Sequence, residues 1–110
     1  MPLQRTETYT TTGTKPSWNC DPSIAAFNVN ILCALLSGTV DYSLQYSYDT
    51  LDSPTATDSD ATWLTSDDIP LTTAASAEAN FSTPIARVRV VIVAIAGSLK
   101  VTMLQGFSVN

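Results

Sequence analysis

Apolar and polar residues alternate with a period of two over Val40–Asp49. Val40, Tyr42, Leu44, Tyr46 and Tyr48 fall on one face, and Asp41, Ser43, Gln45, Ser47 and Asp49 on the other. Successive side chains leave opposite faces of a pleated strand, so this is the pattern of a strand with one buried face. A second strand is predicted over Pro84–Ala96, with Val88, Val90, Ile92 and Ala94 on one face. Its other face carries Ile85, Arg87 and Arg89, then Val91, Val93 and Ile95, so the strand begins half-exposed and ends apolar on both sides. Gly97-Ser98 reads as a two-residue hairpin turn. Leu99–Gln105 then returns as a strand, which Phe107 and Val109 extend past Gly106.

Ile24–Leu36 supports two readings. Ile24, Phe27, Ile31 and Leu35 form a helical stripe behind an Asp21-Pro22 start. Alternatively Phe27, Val29, Ile31, Cys33 and Leu35 alternate with Asn28 and Asn30, and Ser37-Gly38 forms a hairpin corner leading into the Val40 strand. The strand reading is preferred because it joins two alternating runs through ordinary turn chemistry.

Elsewhere the pattern is weaker. Thr6–Thr14 is rich in β-branched residues with little apolar material, which suits an edge strand or an arm pairing with something else. Lys15–Pro22 is turn-like, and Trp18 within it is expected to plug one end of the core. Leu51–Asp60 is an acidic surface loop, Ala61–Ser66 a short strand and Asp67–Pro70 a turn, while Leu71–Ala79 fits a helical turn or a short strand equally. Six to eight short strands without a secure helix predict an all-β fold, an antiparallel β-sandwich of jelly-roll or immunoglobulin-like type. Residues 1–16 are expected as an extended N-terminal arm or edge strand and 17–110 as one domain.

Composition narrows function more than fold. Charged residues are 14% of the 110, against roughly 25% in ordinary soluble domains. The chain has 16 Thr and 12 Ser, which solvate a surface without long charged stems. Five basic against ten acidic residues, net −5, argue against a phosphate-binding surface and so against nucleic acid as a partner. Met1–Glu7 has no apolar core and is not read as a signal peptide. The charge-free Val90–Leu99 stretch is ten residues, too short to span a bilayer. Cys20 and Cys33 are too few for a disulfide framework and are expected reduced, Cys33 as a small buried hydrophobe. Asn80-Phe81-Ser82 has the form of a glycosylation sequon, which such a chain would match by chance.

No catalytic constellation emerges. There is no His, hence neither the commonest general base nor the commonest zinc ligand. Nucleophile-elbow, phosphate-loop and dinucleotide motifs are absent. The expectation is a non-enzyme without cofactor. Asp49, Asp52, Asp58 and Asp60 lack the spacing of a calcium loop and read as a solvated acidic loop. Arg87 and Arg89, two apart on one face, are expected to pair with carboxylates across the sheet or to reach a partner protein. The tyrosine stripe Tyr42, Tyr46 and Tyr48 has the form of a sugar-stacking platform, but its strand spacing with Val40 and Leu44 reads as core. The two-sided apolar strands are the sharper signal: Leu32, Leu36, Val91, Val93 and Ile95 need cover from a loop, an arm or another protein, so an association interface is expected.

Taken in order, the chain shows Gly13-Thr14, Phe27-Asn28-Val29, Gly38 to Asp49, Thr62-Trp63, Pro84-Ile85-Ala86-Arg87-Val88-Arg89-Val90 and Leu104-Gln105-Gly106. In this order it resembles the small β-sandwich accessory, decoration or cement proteins of tailed bacteriophage virions. The resemblance implies a structural protein assembled in the bacterial cytoplasm and located in the virion. Its partners would be the major capsid protein and copies of itself, as a homo-oligomer or lattice, bridging capsid subunits on the outer surface of the head. No catalytic residues, nucleic acid or membrane are implied. Candidate contacts are Thr8, Tyr9, Thr10, Thr11, Thr12, Arg87, Arg89, Val91, Val93 and Ile95. The alternatives are a tail, neck or fibre-associated β-sandwich of the same virions and, from another class, a lectin-like host-binding module using Trp18 or Trp63.

Overall fold

The structure, a computed structural model, describes residues 3–20, 27–49 and 58–105. Among these residues there is no α-helix. Seven strands occur: β1 Leu3–Tyr9, β2 Gly13–Thr14, β3 Trp18–Asn19, β4 Val29–Ser47, β5 Leu64–Thr65, β6 Ala77–Phe81 and β7 Arg87–Gln105. All pairings are antiparallel and form one hydrogen-bonded sheet, which is not closed. The class expectation is therefore met, and Ile24–Leu36 resolves in favour of strand from Val29 onward. Its proposed start, with the Asp21-Pro22 cap, lies outside the described residues, as do the loop residues 50–57 and the continuation through Phe107 and Val109.

Both expected hairpins are corrected. β4 and β7 are each 19 residues long and pair with one another along their whole length. The two Gly-Ser turn signals do not reverse the chain; they face each other across the ladder, Ser37 opposite Ser98 and Gly38 opposite Gly97. The physical reason lies in phase. Buried positions are odd before Ser37 (Val29, Ile31, Cys33) and even after it (Val40, Tyr42, Leu44). A two-residue hairpin preserves a common face with that change of parity, and so does a continuous strand with one extra residue. The extra residue is Leu36, where the register shifts between Leu35 and Ser37. In β7 the parity changes the other way, from Val88, Val90 and Ile92 to Leu99, Val101 and Met103, and the extra residue is Val93. Each bulge keeps the same face of its strand on the core.

The bend between the bulges rests on the glycine pair. Ladder parity places Gly38 and Gly97 on the inner face, at φ of +72° and +137°. A Cβ on Gly38 would lie 1.5 Å from the Ala96 carbonyl oxygen, and one on Gly97 2.0 Å from that of Ser37. With no side chains along this line, the inner face can fold toward itself. One limb holds residues 29–35 and 99–105 with β6 and β1 at its edges. The other holds residues 37–47 and 87–98 with β5 on one side and β2 and β3 on the other.

The limbs share one core. Val29, Ile31, Cys33, Leu99, Val101 and Met103 from the first join Val40, Tyr42, Leu44, Val88, Val90 and Ile92 from the second. Away from the bend, contacts cross between them on both sides of the central ladder. The Tyr46 and Phe81 rings lie 5.2 Å apart, the Arg5 guanidinium sits 5.4 Å over Trp18, and Cys20 Sγ approaches Met103 Sδ at 3.9 Å. Trp18 is buried at the margin of this core. Both cysteines are buried free thiols, and burial pushes each up to about 12. The tyrosine expectation holds only for Tyr42, which is fully buried with its hydroxyl donating to the Ala75 carbonyl at 2.7 Å. Tyr46 is half-buried and Tyr48 is 57% exposed, because β4 ends at Ser47.

Gly38→Ala and Gly97→Ala are each expected to lower unfolding free energy by at least about 2 kcal/mol, from backbone overlap and left-handed strain together. Gly13 also has positive φ, but a methyl added there would meet nothing within 4 Å, so Gly13→Ala should cost only about 1 kcal/mol. Urea midpoints of the three variants test this ordering.

Candidate contact surface

The bulges decide what the outer surface displays. Leu36 and Val93, the extra residues of β4 and β7, are 57% and 63% exposed. They flank the bend together with exposed Ala94, Ala96 and Thr39. No charged residue occurs in 32–40 or 90–99, the two segments that meet there. The result is an apolar knuckle, bordered by Asp41 opposite Ala94, on a chain of net charge −5.

The residues expected to need cover divide three ways. Ile95 pairs with buried Val40 and packs partly buried against the core. Val91 is half-buried between Ser43 and Thr14, its two cross-strand neighbours. Leu32, Leu36 and Val93 remain exposed.

The N-terminal candidates lie on the far edge of the first limb. Thr8 and Tyr9 close β1, opposite Lys100 and Leu99. Thr8 is exposed and Tyr9 packs partly buried on the core, where burial first, and then the charge of Glu7, raises its phenol. Thr10, Thr11 and Thr12 are exposed in the link to β2. Thr11 Oγ1 accepts from Lys15 Nζ at 2.8 Å, and that ammonium lies 5.3 Å over the Tyr9 ring. Arg5 and Glu7 are paired with the buried residues Met103 and Val101, so the edge strand carries charges on its core-side face. Such charges hinder the addition of another strand.

Arg87 and Arg89 are engaged within the chain. Arg87 Nη1 donates to Ser17 Oγ at 2.7 Å and lies 3.4 Å from Asp58 Oδ1. Ser17 in turn donates from Oγ to Asp58 Oδ1 at 2.6 Å and from its backbone N–H to Oδ2 at 2.9 Å. Arg89 Nε donates to Gln45 Oε1 at 2.7 Å, and its guanidinium stacks 4.1 Å over the Trp63 ring. Trp63 Nε1 donates to the Asp58 carbonyl at 2.7 Å, which closes the network. The 3₁₀ turn Asp58–Asp60 is thereby pinned to the back of the second limb. Burial pushes the Asp58 carboxyl up, but the Ser17 hydrogen bonds and the Arg87 and Arg89 charges outweigh it and hold the group below its ordinary 3.8. Burial pulls Arg89 down, and Asp58 partly offsets this.

Asp58 serves this network, while Asp49 Oδ2 accepts from the Thr62 N–H; Asp52 and the Asp60 side chain lie outside what the structure describes. Among the described residues no group of three or more His, Cys, Asp or Glu side chains is placed to hold a metal ion. Neither tryptophan offers both ring faces to a sugar, since Trp18 is buried and Arg89 covers Trp63. What sequence reasoning missed is that Leu36 and Val93 are bulge residues. The parity change was visible on each strand, but only the long-range pairing shows which residue is extra. Comparison with known protein families, curated proteins and solved structures finds no match to this chain.

The Asp58 network should make stability acid-sensitive in a defined sense. A carboxyl whose folded pKa is depressed stabilises the fold above its unfolded value, and loses that contribution as pH falls through the folded one. In melting curves between about pH 6 and pH 2, wild type should exceed Asp58→Asn at the upper end, with the gap closing below about pH 4. A gap independent of pH would remove the network from the account.

Proposed function

We propose that this protein is a virion structural protein, a decoration or cement protein that seats on the outer surface of a phage head and bridges capsid subunits. In this reading the bent sheet works as a two-layer β-sandwich, and the knuckle is its docking face. The observation that carries the proposal is the exposure of Leu36 and Val93, two large apolar side chains beside the bend of an acidic chain. Contiguous apolar exposure on a soluble domain marks a partner site. Many weak contacts of this kind, repeated over a lattice, sum to tight retention. The order of sequence landmarks that resembles the decoration proteins supports the same reading, and the buried, hydrogen-bonded arginines leave docking to the knuckle rather than to Arg87 and Arg89.

The test is imaging and mass spectrometry of purified particles from the virus that encodes the chain. The expected result is many copies on the head exterior with the knuckle against the shell. Density confined to the tail or neck would favour the alternative location, and absence from purified particles would overturn the structural role. On particles stripped of the protein, Leu36→Asp/Val93→Asp should rebind at least about tenfold more weakly than wild type, since a desolvated apolar anchor contributes this much or more. Its melting temperature should stay close to wild type, because neither side chain contributes to the core.

A further inference from the structure

On the side of the molecule where β5 and β6 form the sheet margin, a strand edge, a groove and unpaired carboxylates coincide. Among the described residues β6 bonds to β4 along one edge only. The Asn80 N–H donates to Asp68 Oδ2 at 3.3 Å, so it points away from β4. Because hydrogen-bonded and non-hydrogen-bonded pairs alternate in an antiparallel ladder, the N–H and C=O of Glu78 and the C=O of Asn80 point the same way. These groups form the ready template for an added strand.

An open groove crosses the outer face of the sheet and reaches this edge. Its first stretch, about 470 Å³, runs from Thr102 and Leu104 of β7 over Leu32 of β4 to Glu78, Asn80 and Asp68. The second, about 280 Å³, shares Asp68 and Asn80 and passes Asp67 to reach the rings of Phe81, Tyr46 and Tyr48. Tyr46 and Tyr48 meet edge to face at 5.9 Å, which leaves Tyr48 outermost. No basic residue lines either stretch. Arg5, Lys15, Arg87 and Arg89 are held on Trp18, Tyr9, Asp58 and Trp63, and Lys100 lies opposite Thr8 and Ala34 in the sheet. Asp67, Asp68 and Glu78 therefore have no cationic partner among the described residues.

We propose that this groove binds an extended, basic segment of a partner protein. The segment adds to β6 by backbone pairing, sets its outer-face side chains beside Glu78 and Asn80, and places a Lys or Arg between Asp67, Asp68 and the Tyr48 ring. Asp68 couples the two parts of the interaction. Its carboxylate holds the position on the Asn80 N–H that the carbonyl of an added strand would take. An incoming carbonyl replaces it, and the released carboxylate pairs with the incoming cation. The guard that deters an arbitrary strand thus favours a basic one, which is specificity by both repulsion and attraction. Backbone pairing supplies affinity in this mode, and side chains set selectivity. A nucleic acid is repelled by the same carboxylates, and a neutral sugar can donate to them and stack on Tyr48 but leaves the strand edge unused. This site is distinct from the knuckle and does not depend on what the knuckle docks to.

The test uses the isolated full chain, labelled with ¹⁵N, and an acetylated, amidated heptapeptide alternating Val with Lys and Thr. Amide shifts are expected at Glu78, Asn80 and Asp68, weakening with added salt. The same peptide with Glu in place of Lys should give none. Asp67→Asn/Asp68→Asn keeps the shape and an acceptor for the Asn80 N–H, and should weaken the basic peptide about tenfold or more while its spectrum stays folded. Equal binding of the acidic peptide, or shifts that avoid β6, would overturn the proposal. So would shifts at Tyr46 and Tyr48 with a neutral oligosaccharide and none with the basic peptide.

Discussion

The fold depends on one close approach. Gly38 and Gly97 face each other across the central ladder at a distance where neither tolerates a Cβ, and both hold φ values that other residues resist. A ribbon of two 19-residue strands has one apolar face and nothing in its own plane to bury it against. Bending at the glycine pair lets that face cover itself, so Val29, Ile31 and Cys33 reach the same core as Tyr42, Leu44 and Val90. Burial of each such side chain is worth roughly 1.5–3 kcal/mol, so a bend that removes a dozen of them from water outweighs the strain stored in two glycines.

Polar chemistry closes what the bend leaves open. The outer face of the second limb carries Ser47, Arg87, Gln45 and Arg89, which would need solvation if left bare. Instead Asp58, Ser17 and Trp63 bring hydrogen bonds and a stacked ring onto them. Most of these partners are short neutral groups around one ion pair. This agrees with a composition rich in Ser and Thr and poor in charge, and it explains why the two arginines expected at an interface are engaged inside the chain. At the opposite margin the carboxylates of Asp67, Asp68 and Glu78 have no cationic partner among the described residues, and the asymmetry between the two margins is electrostatic as much as steric.

Much of the fold was legible from period-two alternation alone: Val40–Ser47 and Arg87–Ile92 are strands with the predicted faces, and Cys33, Trp18 and Tyr42 are buried as expected. The connectivity was not legible, because Ser37-Gly38 and Gly97-Ser98 have the composition of hairpin turns and a parity change that a turn and a bulge share. Local residues cannot separate these; the choice is made by which distant segment pairs opposite. Tyr48 was misplaced for a related reason, since alternation persists in the sequence one residue past the point where the ladder stops. Of the contact residues, Val93 is exposed while Ile95 faces the core, a difference set entirely by the bulge between them and Ile92.

That bulge bears on function through the identity of its residue. A β-bulge needs one extra residue and a local twist; it does not need an apolar side chain. Leu36 and Val93 both project outward, and Ser, Thr or Lys at either place would keep the parity change and improve solvation. Elsewhere the exposed strand positions carry Thr6, Thr8, Thr39 and Thr65, but also Leu32, Leu64 and Leu104. The bend therefore explains why side chains emerge at the knuckle, and leaves unexplained why they are Leu and Val. What sets the two bulge residues apart is their placement, one on each side of the same fold line, and the proposed docking face rests on that placement.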